Sequence, residues 1–342
     1  MASTTSPELT QFAEDVLRGL TSTPKQLSSR YFYDDEGSRL FMEIMKLPEY
    51  YPTRAEMKIF TEQKAAICAA FTERGPVERG HSGPQPDEEA DKNVRVPIDL
   101  IELGAGDGTK TAVLIEHLLA TGVDFQYEPI DISQEANDAL SARFREKFPA
   151  LRIDPHTGDY FKVLDSLKSD NGRRKVILFL GSNIGNFLRD KAVAFFRSLR
   201  EVMNENDRLF IGFDMQKDPR TIVAAYDDKQ GVTAEFNLNL LRRINRELGA
   251  DFDLDKFSHY AQYRPMECAA RSFLISREKQ TVHIKALNRS FDFDQWEAIF
   301  MEISQKYTHA MIDELAGDGG FEITQEFYNA EDFYIDSLWR PV

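Results

Sequence analysis

The sequence predicts an α/β protein, with a Rossmann-like core and a smaller α+β domain inserted late in the chain. Between residues 98 and 215, apolar strand-like runs alternate with amphipathic helical stretches. This alternation is typical of a mostly parallel sheet with helices on both faces. From about Lys217 to Ser304 the alternation stops, and a long helical stretch precedes several strand-like runs. We therefore assign residues 1–215 and 306–342 to the core and residues 216–305 to the second domain.

The core elements follow one another in a regular order. Four apolar runs predict strands: IDLIEL from residue 98, FQYEPIDIS from 125, KVILFLG from 175 and DRLFIGFDM from 207. The stretches between them predict helices: KTAVLIEHLLATG, EANDALSARFREKFP and DKAVAFFRSLREVM. The C-terminal FEITQEFYNAEDFYIDSLWRPV predicts a hairpin that returns to the sheet edge. In the second domain VTAEFNLNLLRRINREL predicts a helix, and ARSFLISREKQTVHI predicts two strands around a charged turn.

Two other segments stand apart from this alternation. Residues 74–95 concentrate Gly, Pro and charge with almost no large apolar side chain, which predicts a flexible insertion. Around Tyr50 we expect a rigid corner instead, because Pro52 keeps the preceding link extended. Thr53 and Glu56 have the spacing of a capping box that would start the next helix.

The composition limits the partners. The net charge of −15 over 342 residues disfavours nucleic acid or an anionic membrane as the main partner, so a small soluble molecule fits better.

The two cysteines form no paired motif, which predicts a reducing cytoplasm. No signal segment or membrane-spanning run is visible. The six histidines lack metal-ligand spacing, so we expect no metal. We also expect a monomer.

The stretch IELGAGDGTKT predicts a cofactor loop after the first core strand. Gly104, Gly106 and Gly108 allow backbone amides to approach a ligand closely. The dinucleotide pattern G-x-G-x-x-G is broken by Thr109, which disfavours a nicotinamide-dependent oxidoreductase. The form E-x-G-x-G-x-G, beginning at Glu102, resembles motif one of the class I S-adenosylmethionine (SAM) methyltransferases.

Further residues extend this prediction along the sheet. Asp131 ends the next strand, where its side chain can accept hydrogen bonds from ribose hydroxyls. Asp159, with Tyr160 in TGDYF, is placed like the acid that contacts the adenine amine in such enzymes. Gly181, at the end of KVILFLG, completes the predicted cofactor-binding set. Either aspartate alone could instead be a helix cap, but together these features predict SAM binding.

Four long motifs carry a closer resemblance: FYDDEGSRLFMEIMKLPEYYPTRAE, LGSNIGNF, AAYDDKQGVTAEFNLNLLRRINRELGADFDLDKF and MEISQKY. They resemble the histidine-specific Nα-methyltransferases of ergothioneine biosynthesis, which convert L-histidine to its trimethyl betaine, hercynine. The resemblance extends from about Leu17 to the C-terminus, apart from residues 74–95. It implies a class I SAM-methyltransferase core, with residues 216–305 as the substrate-binding domain.

The resemblance also implies roles for single residues. Asn186 and Tyr50 would bind the substrate carboxylate, and Tyr33 would lie close to the reacting amine. Tyr226 would help to enclose the substrate, and Lys110 would take part in SAM binding.

Two further matched residues, Glu302 and Ser304, would bind the imidazole. A strand puts them on one face, where a carboxylate and a hydroxyl could select histidine by its ring nitrogens. Where the family has a methionine lining the side-chain pocket, this chain has Ser272. The smaller residue leaves open another aromatic amino acid, such as tryptophan.

Methyl transfer needs a neutral amine, and Tyr33 or water is the expected proton acceptor. The rings of Tyr33 and Phe41 could stabilise the methylated, cationic product by cation–π attraction. A SAM-binding sensor without catalysis is the alternative of a different class.

Overall fold

A computed structural model describes residues 7–73, 95–158, 163 and 172–342 of the chain. The chain divides into two compact units. We call them the small unit, formed by the described part of Met1–Tyr51 with Lys217–Lys306, and the core unit, formed by the described parts of Pro52–Gln216 with Tyr307–Val342. The predicted insertion at 74–95 lies outside the described residues, apart from Arg95.

The α-helices of the described residues are α1 (Pro7–Thr21), α2 (Asp35–Lys46), α3 (Pro52–Thr72), α4 (Thr111–Ala120), α5 (Gln134–Lys147), α6 (Arg189–Val202), α7 (Pro219–Tyr226), α8 (Val232–Leu248) and α9 (His309–Gly319). The strands are β1 (Ile98–Leu103), β2 (Phe125–Asp131), β3 (His156–Thr157), β4 (Arg174–Phe179), β5 (Arg208–Asp214), β6 (Phe257–Arg264), β7 (Ala269–Ser276), β8 (Gln280–Ile284), β9 (Arg289–Phe293), β10 (Ala298–Gln305), β11 (Phe321–Tyr328) and β12 (Tyr334–Pro341). No described helix is both long enough and apolar enough to cross a bilayer.

The core unit contains a seven-stranded sheet in the order β11-β12-β5-β4-β1-β2-β3. Strands β1 to β5 are parallel, and β12 pairs antiparallel with β5. The order 3-2-1-4-5 of the parallel strands is that of a Rossmann-like sheet, so the predicted fold class is confirmed. The predicted C-terminal hairpin is also present, because β11 pairs with β12 at the sheet edge.

Helices cover both faces of this sheet, which explains why its central strands read as continuous apolar runs. Every residue of β1, β4 and β5 is buried. Side chains of α3, α4 and α5 pack against one face, and those of α6 and α9 pack against the other. The carboxyl ends of the parallel strands therefore share one edge, which is where ligands of such sheets bind.

The small unit contains a three-stranded antiparallel sheet, β10-β7-β6, and a two-stranded sheet, β8-β9. The two predicted strands of ARSFLISREKQTVHI exist, but they belong to different sheets. The reason is that β6 and β10 occupy both edges of β7, so β8 pairs with β9 instead.

The N-terminal segment differs from the sequence-based assignment, which placed residues before 216 in the core. The described residues up to Tyr51 group with Lys217–Lys306. Phe12, Val16 and Leu27 share a buried cluster with side chains of α8 and of the small sheets. The backbone adds to this packing, since the Leu27 amide donates to the Phe300 carbonyl oxygen at 2.9 Å.

Candidate active site

The glycine loop of the core unit follows β1, as predicted, and its three glycines all have positive φ angles. A Cβ on Gly108 would lie 2.5 Å from Leu140 Cδ1 and 2.7 Å from Phe144 Cζ, so this glycine allows the loop to pack on α5. A Cβ on Gly106 would have no described atom within 4 Å. The backbone at Gly106 is therefore open to a ligand, whereas Gly108 meets a packing requirement.

Glu102 is buried at the end of β1. Its Oε1 accepts a hydrogen bond from Thr111 Oγ1 at 2.7 Å, and its Oε2 accepts one from the Tyr127 hydroxyl at 2.5 Å. Burial raises the pKa of this carboxyl to about 7. Glu102 thus connects β1 to the start of α4 and to β2, and these two hydrogen bonds support the glycine loop that lies between β1 and α4. Its predicted contact with the cofactor stays a prediction.

Asp131 ends β2 and lies beside the glycine loop. Its Oδ2 accepts from the Gly106 amide at 3.4 Å, and its Oδ1 accepts from the Ser133 amide at 3.0 Å. Asp131 is only partly buried. The structure therefore brings together the loop and the acidic residue predicted to bind the ribose, which is an arrangement suited to a nucleoside ligand. Asp159 and Tyr160 lie outside the described residues.

Lys110 and Gly181 are joined by a residue whose role the sequence analysis missed, Glu56. The Glu56 carboxylate is fully buried and forms an ion pair with the Lys110 ammonium. Its Oε1 accepts from the Gly181 amide at 2.8 Å and from the Tyr334 hydroxyl at 2.9 Å. The predicted capping box is wrong, because α3 already begins at Pro52 and the carboxylate binds these groups instead.

Asn186, predicted to bind the substrate carboxylate, closes the short 3-10 turn Asn183–Asn186 that follows β4. Its side chain is exposed. The turn is anchored to the body of the core unit because Tyr307 donates to the Ile184 carbonyl oxygen at 3.2 Å. Asn186 thus lies at the edge formed by the carboxyl ends of the strands, as its predicted role requires.

In the small unit, β10 presents Glu302 and Ser304 on one face, with Ser272 of β7 directly opposite Glu302. The register shifts between Phe300 and Glu302, so a β-bulge lies just before the pair. The bulge brings Glu302 and Ser304 onto the face that Leu274 occupies on β7, since directly opposed side chains share a face. The predicted imidazole-binding residues and Ser272 are therefore neighbours.

The Ser304 hydroxyl, the Tyr226 hydroxyl and the Lys306 ammonium form a triangle of hydrogen bonds. Tyr226, the last residue of α7, donates to Ser304 Oγ at 2.7 Å. Lys306 Nζ donates to Ser304 Oγ at 2.8 Å and to the Tyr226 hydroxyl at 2.7 Å. Burial raises the pKa of the nearby Glu302 carboxyl to about 7, and the Lys306 charge acts in the opposite direction. Lys306 is a second residue that the sequence analysis missed.

The predicted aromatic residues also lie together in the small unit. The Tyr33 and Phe41 rings meet edge to face with centroids 5.5 Å apart, and the Phe41 and Tyr50 centroids are 6.1 Å apart. The buried ring of Phe236 supports them, with its centroid 5.6 Å from that of Tyr33 and 5.9 Å from that of Phe41. Tyr33 is 38% exposed, so part of this aromatic cluster is accessible to a ligand.

Within the described ranges, no group of three or more His, Cys, Asp or Glu side chains is placed to hold a metal ion. The chemistry that the arrangement can perform follows from its two parts. The core unit offers an open backbone loop with an acid beside it. The small unit offers a carboxylate and a hydroxyl for a ring with an N–H and a second polar atom, together with exposed aromatic surface for a cation.

Comparisons with known proteins agree with both parts. A family model described as histidine-specific methyltransferase, SAM-dependent, matches residues 12–341. The chain is 36% identical over 320 residues to a histidine N-alpha-methyltransferase of Mycobacterium tuberculosis, covering 93% of this chain and 92% of that protein.

More distant relatives are also similar. Ergothioneine biosynthesis protein 1 of Neurospora crassa is 29% identical over 331 residues, which cover 92% of this chain and 33% of that protein. A 4-dimethylallyltryptophan N-methyltransferase of Claviceps purpurea is 24% identical over 224 residues, which cover 62% of this chain and 58% of that protein. The resemblance first seen in the motifs is thereby confirmed, and the chain belongs to the family of SAM-dependent, histidine-specific methyltransferases.

Proposed function

We propose that this protein transfers methyl groups from SAM to the α-amino nitrogen of L-histidine. Three transfers give Nα,Nα,Nα-trimethylhistidine (hercynine), the first step of ergothioneine biosynthesis. The observation that carries this proposal is the pairing of Glu302 and Ser304 on one face of β10, with Lys306 beside them. A carboxylate and a hydroxyl held on one strand face match the two nitrogens of an imidazole ring.

The reaction needs little covalent chemistry from the protein. SAM supplies, when bound, an electrophilic methyl group on a sulfonium. Binding and orientation therefore provide most of the rate. In the core unit, the open backbone at Gly106 and the carboxylate of Asp131 would hold the cofactor. Lys110 would take part in this binding while its ion pair with Glu56 holds its side chain in place.

The substrate amine must lose a proton before each transfer, because its lone pair forms the new N–C bond. A water molecule accepts that proton, either directly or through the Tyr33 hydroxyl, which releases its own proton to water as it takes up the proton of the amine. As methyl groups accumulate, the nitrogen becomes a fixed cation, and the rings of Tyr33 and Phe41 would attract it. The carboxylate contacts of Asn186 and Tyr50 stay predictions.

The test is mass spectrometry of the purified protein incubated with SAM and, in separate reactions, with histidine, tryptophan, tyrosine or phenylalanine. We expect a gain of three methyl groups on histidine alone. Incubations without SAM, and with the variant Asp131→Ala, serve as controls for donor dependence. A protein that binds SAM but methylates none of the four would contradict the proposal and favour the sensor.

A second candidate function is N-methylation of another aromatic amino acid, such as tryptophan. Ser272 supports it, because this small buried residue lies directly opposite Glu302 and leaves room for a larger ring. Methylation of tryptophan rather than histidine in the same experiment would establish this alternative. The cytoplasmic location and the monomeric state are further proposals, which cell fractionation and light scattering would test.

A further inference from the structure

Lys306 is fully buried, yet neither the sequence motifs nor the proposed chemistry gives it a task. It follows the last residue of β10, and its backbone amide donates to the Cys268 carbonyl oxygen at 2.6 Å. The side chain returns along the strand to Ser304, two residues earlier. A buried ammonium is costly unless it forms hydrogen bonds, so its position needs an explanation.

The hydrogen bonds of the triangle determine which way each hydroxyl points. An ammonium can only donate, so both Ser304 Oγ and the Tyr226 hydroxyl accept from Lys306. Between the two hydroxyls, the phenol is the more acidic and is the donor, at 2.7 Å. Ser304 Oγ therefore accepts twice, which uses both of its lone pairs.

The proton of the Ser304 hydroxyl then remains available. Ser304 forms no other side-chain hydrogen bond among the described residues, and its side chain lies on the same strand face as Glu302. The two groups are consequently of opposite kinds. Ser304 can only donate to a ligand, and an ionised Glu302 can only accept from one.

We propose that Lys306 is a positioning residue that makes Ser304 a hydrogen-bond donor, so that the site binds histidine with a neutral imidazole in one tautomer. The protonated ring nitrogen faces Glu302, and the unprotonated nitrogen accepts from Ser304. This inference rests on the proposed function, because it assumes that the ring of histidine occupies this face.

Binding of histidine with a doubly protonated ring, an imidazolium, would be unfavourable. An imidazolium carries a proton on both nitrogens, so one N–H would point at the proton of Ser304. Leaving a donor without an acceptor in such a site costs more than the mean hydrogen bond is worth. The Lys306 charge also disfavours a second cation nearby.

The first test uses the unaltered protein. Histidine labelled with ¹⁵N in the ring is bound in the presence of S-adenosylhomocysteine, and its nitrogen chemical shifts are measured at about pH 6.5, the reference pKa of the free ring. We expect one protonated and one unprotonated nitrogen in a single tautomer. Two protonated nitrogens, or two tautomers in exchange, would overturn the proposal.

The second test is a double-mutant cycle on histidine affinity, measured by calorimetry with S-adenosylhomocysteine present. Lys306→Met should weaken histidine binding about 10- to 100-fold, as expected for a lost charged hydrogen bond. Ser304→Ala should weaken it similarly, and the double variant should be no worse than either single variant. Lys279→Met removes an exposed lysine from the same unit and is the matched control, with unchanged affinity.

The outcomes separate this inference from the proposed function. Absence of histidine binding by the unaltered protein would overturn both. Histidine binding that survives Lys306→Met unchanged, or losses that add in the double variant, would overturn only the role of Lys306. Affinity for S-adenosylhomocysteine should be the same in all variants that fold, and if Lys306→Met does not fold, the nitrogen shifts of the unaltered complex decide.

Discussion

The glycine loop of the core unit and the polar face of β10 in the small unit are built in different ways. The loop owes its shape to backbone conformation, with glycines at positive φ and a buried Glu102 that holds two neighbouring elements. The polar face of β10 owes its chemistry to side chains at alternate positions, Glu302 and Ser304 within the strand and Lys306 just after its last residue. Under the proposed function, binding of the methyl donor would be a property of the fold, whereas the choice of substrate would depend on a few replaceable side chains.

Glu302→Ala should cause the largest loss of activity, and the loss should come from weaker recognition of histidine and not from weaker binding of SAM. A site built to accept an N–H loses far more than average when the acceptor is removed, so we expect kcat/KM for histidine to fall about 1000-fold. Affinity for SAM should stay unchanged. Steady-state kinetics and calorimetry measure the two quantities, and Glu278→Ala, at an exposed residue after β7, is the control. Equal losses for both ligands would break the distinction between the two regions.

The histidine affinity should depend on pH through Glu302. Burial raises its pKa to about 7, and the ionised carboxylate accepts the ring N–H much more strongly than the protonated carboxyl, whose O–H also competes as a donor. As the pH falls through 7, Glu302 takes up a proton, and near the reference pKa of 6.5 the free ring of histidine does so as well. Affinity should therefore fall about 10- to 30-fold between pH 7.5 and pH 6.

Glu302→Gln is the matched variant for this pH dependence. Its amide oxygen accepts an N–H at any pH, so only the titration of the ligand should remain, and the decrease should shrink to a few-fold. An unchanged profile in Glu302→Gln would show that another group titrates.

Two alanine variants sharpen the comparison within the loop itself. Gly106→Ala places a Cβ in the open space over the loop at a positive φ, so it should weaken SAM binding about tenfold, with a stability cost of about 1 kcal/mol. Gly108→Ala places its Cβ against Leu140 and Phe144 and should cost about 1 to 3 kcal/mol in stability. Calorimetric titration and thermal unfolding compare the two, and a larger loss of stability in Gly106→Ala would contradict the assignment.

The glycine loop and the polar face of β10 also differ in how much of each could be predicted from the sequence. The strand IDLIEL was predicted with the bounds that β1 has, because burial on both faces leaves a continuous apolar run and the glycines mark its end. The spacing of Thr53 and Glu56 imitates a capping box, whereas the residues that Glu56 contacts lie 54 or more positions away in the chain, where no local pattern indicates them.

Less of the structure around β10 could be predicted from the sequence. Period-two alternation predicted that Glu302 and Ser304 share a face, but the bulge that sets which face they share has no glycine or other sequence signal. No sequence pattern indicates that Lys306 is buried, because a lysine at the end of a strand is normally solvated and its contact with Tyr226 joins residues 80 positions apart.

Ser272→Met should have the smallest effect and should change selectivity more than rate. Ser272 is 2% exposed and lies opposite Glu302, so a longer side chain reduces the space beside the carboxylate. The loss should be greater for a bulky ring than for imidazole, and the ratio of kcat/KM for histidine to that for tryptophan should rise about three- to tenfold. Ser290→Met, at an exposed position of β9, controls for the added hydrophobic side chain. A ratio that moves equally in both variants, or that falls in Ser272→Met, would show that residue 272 does not limit the ring that the strand face accepts.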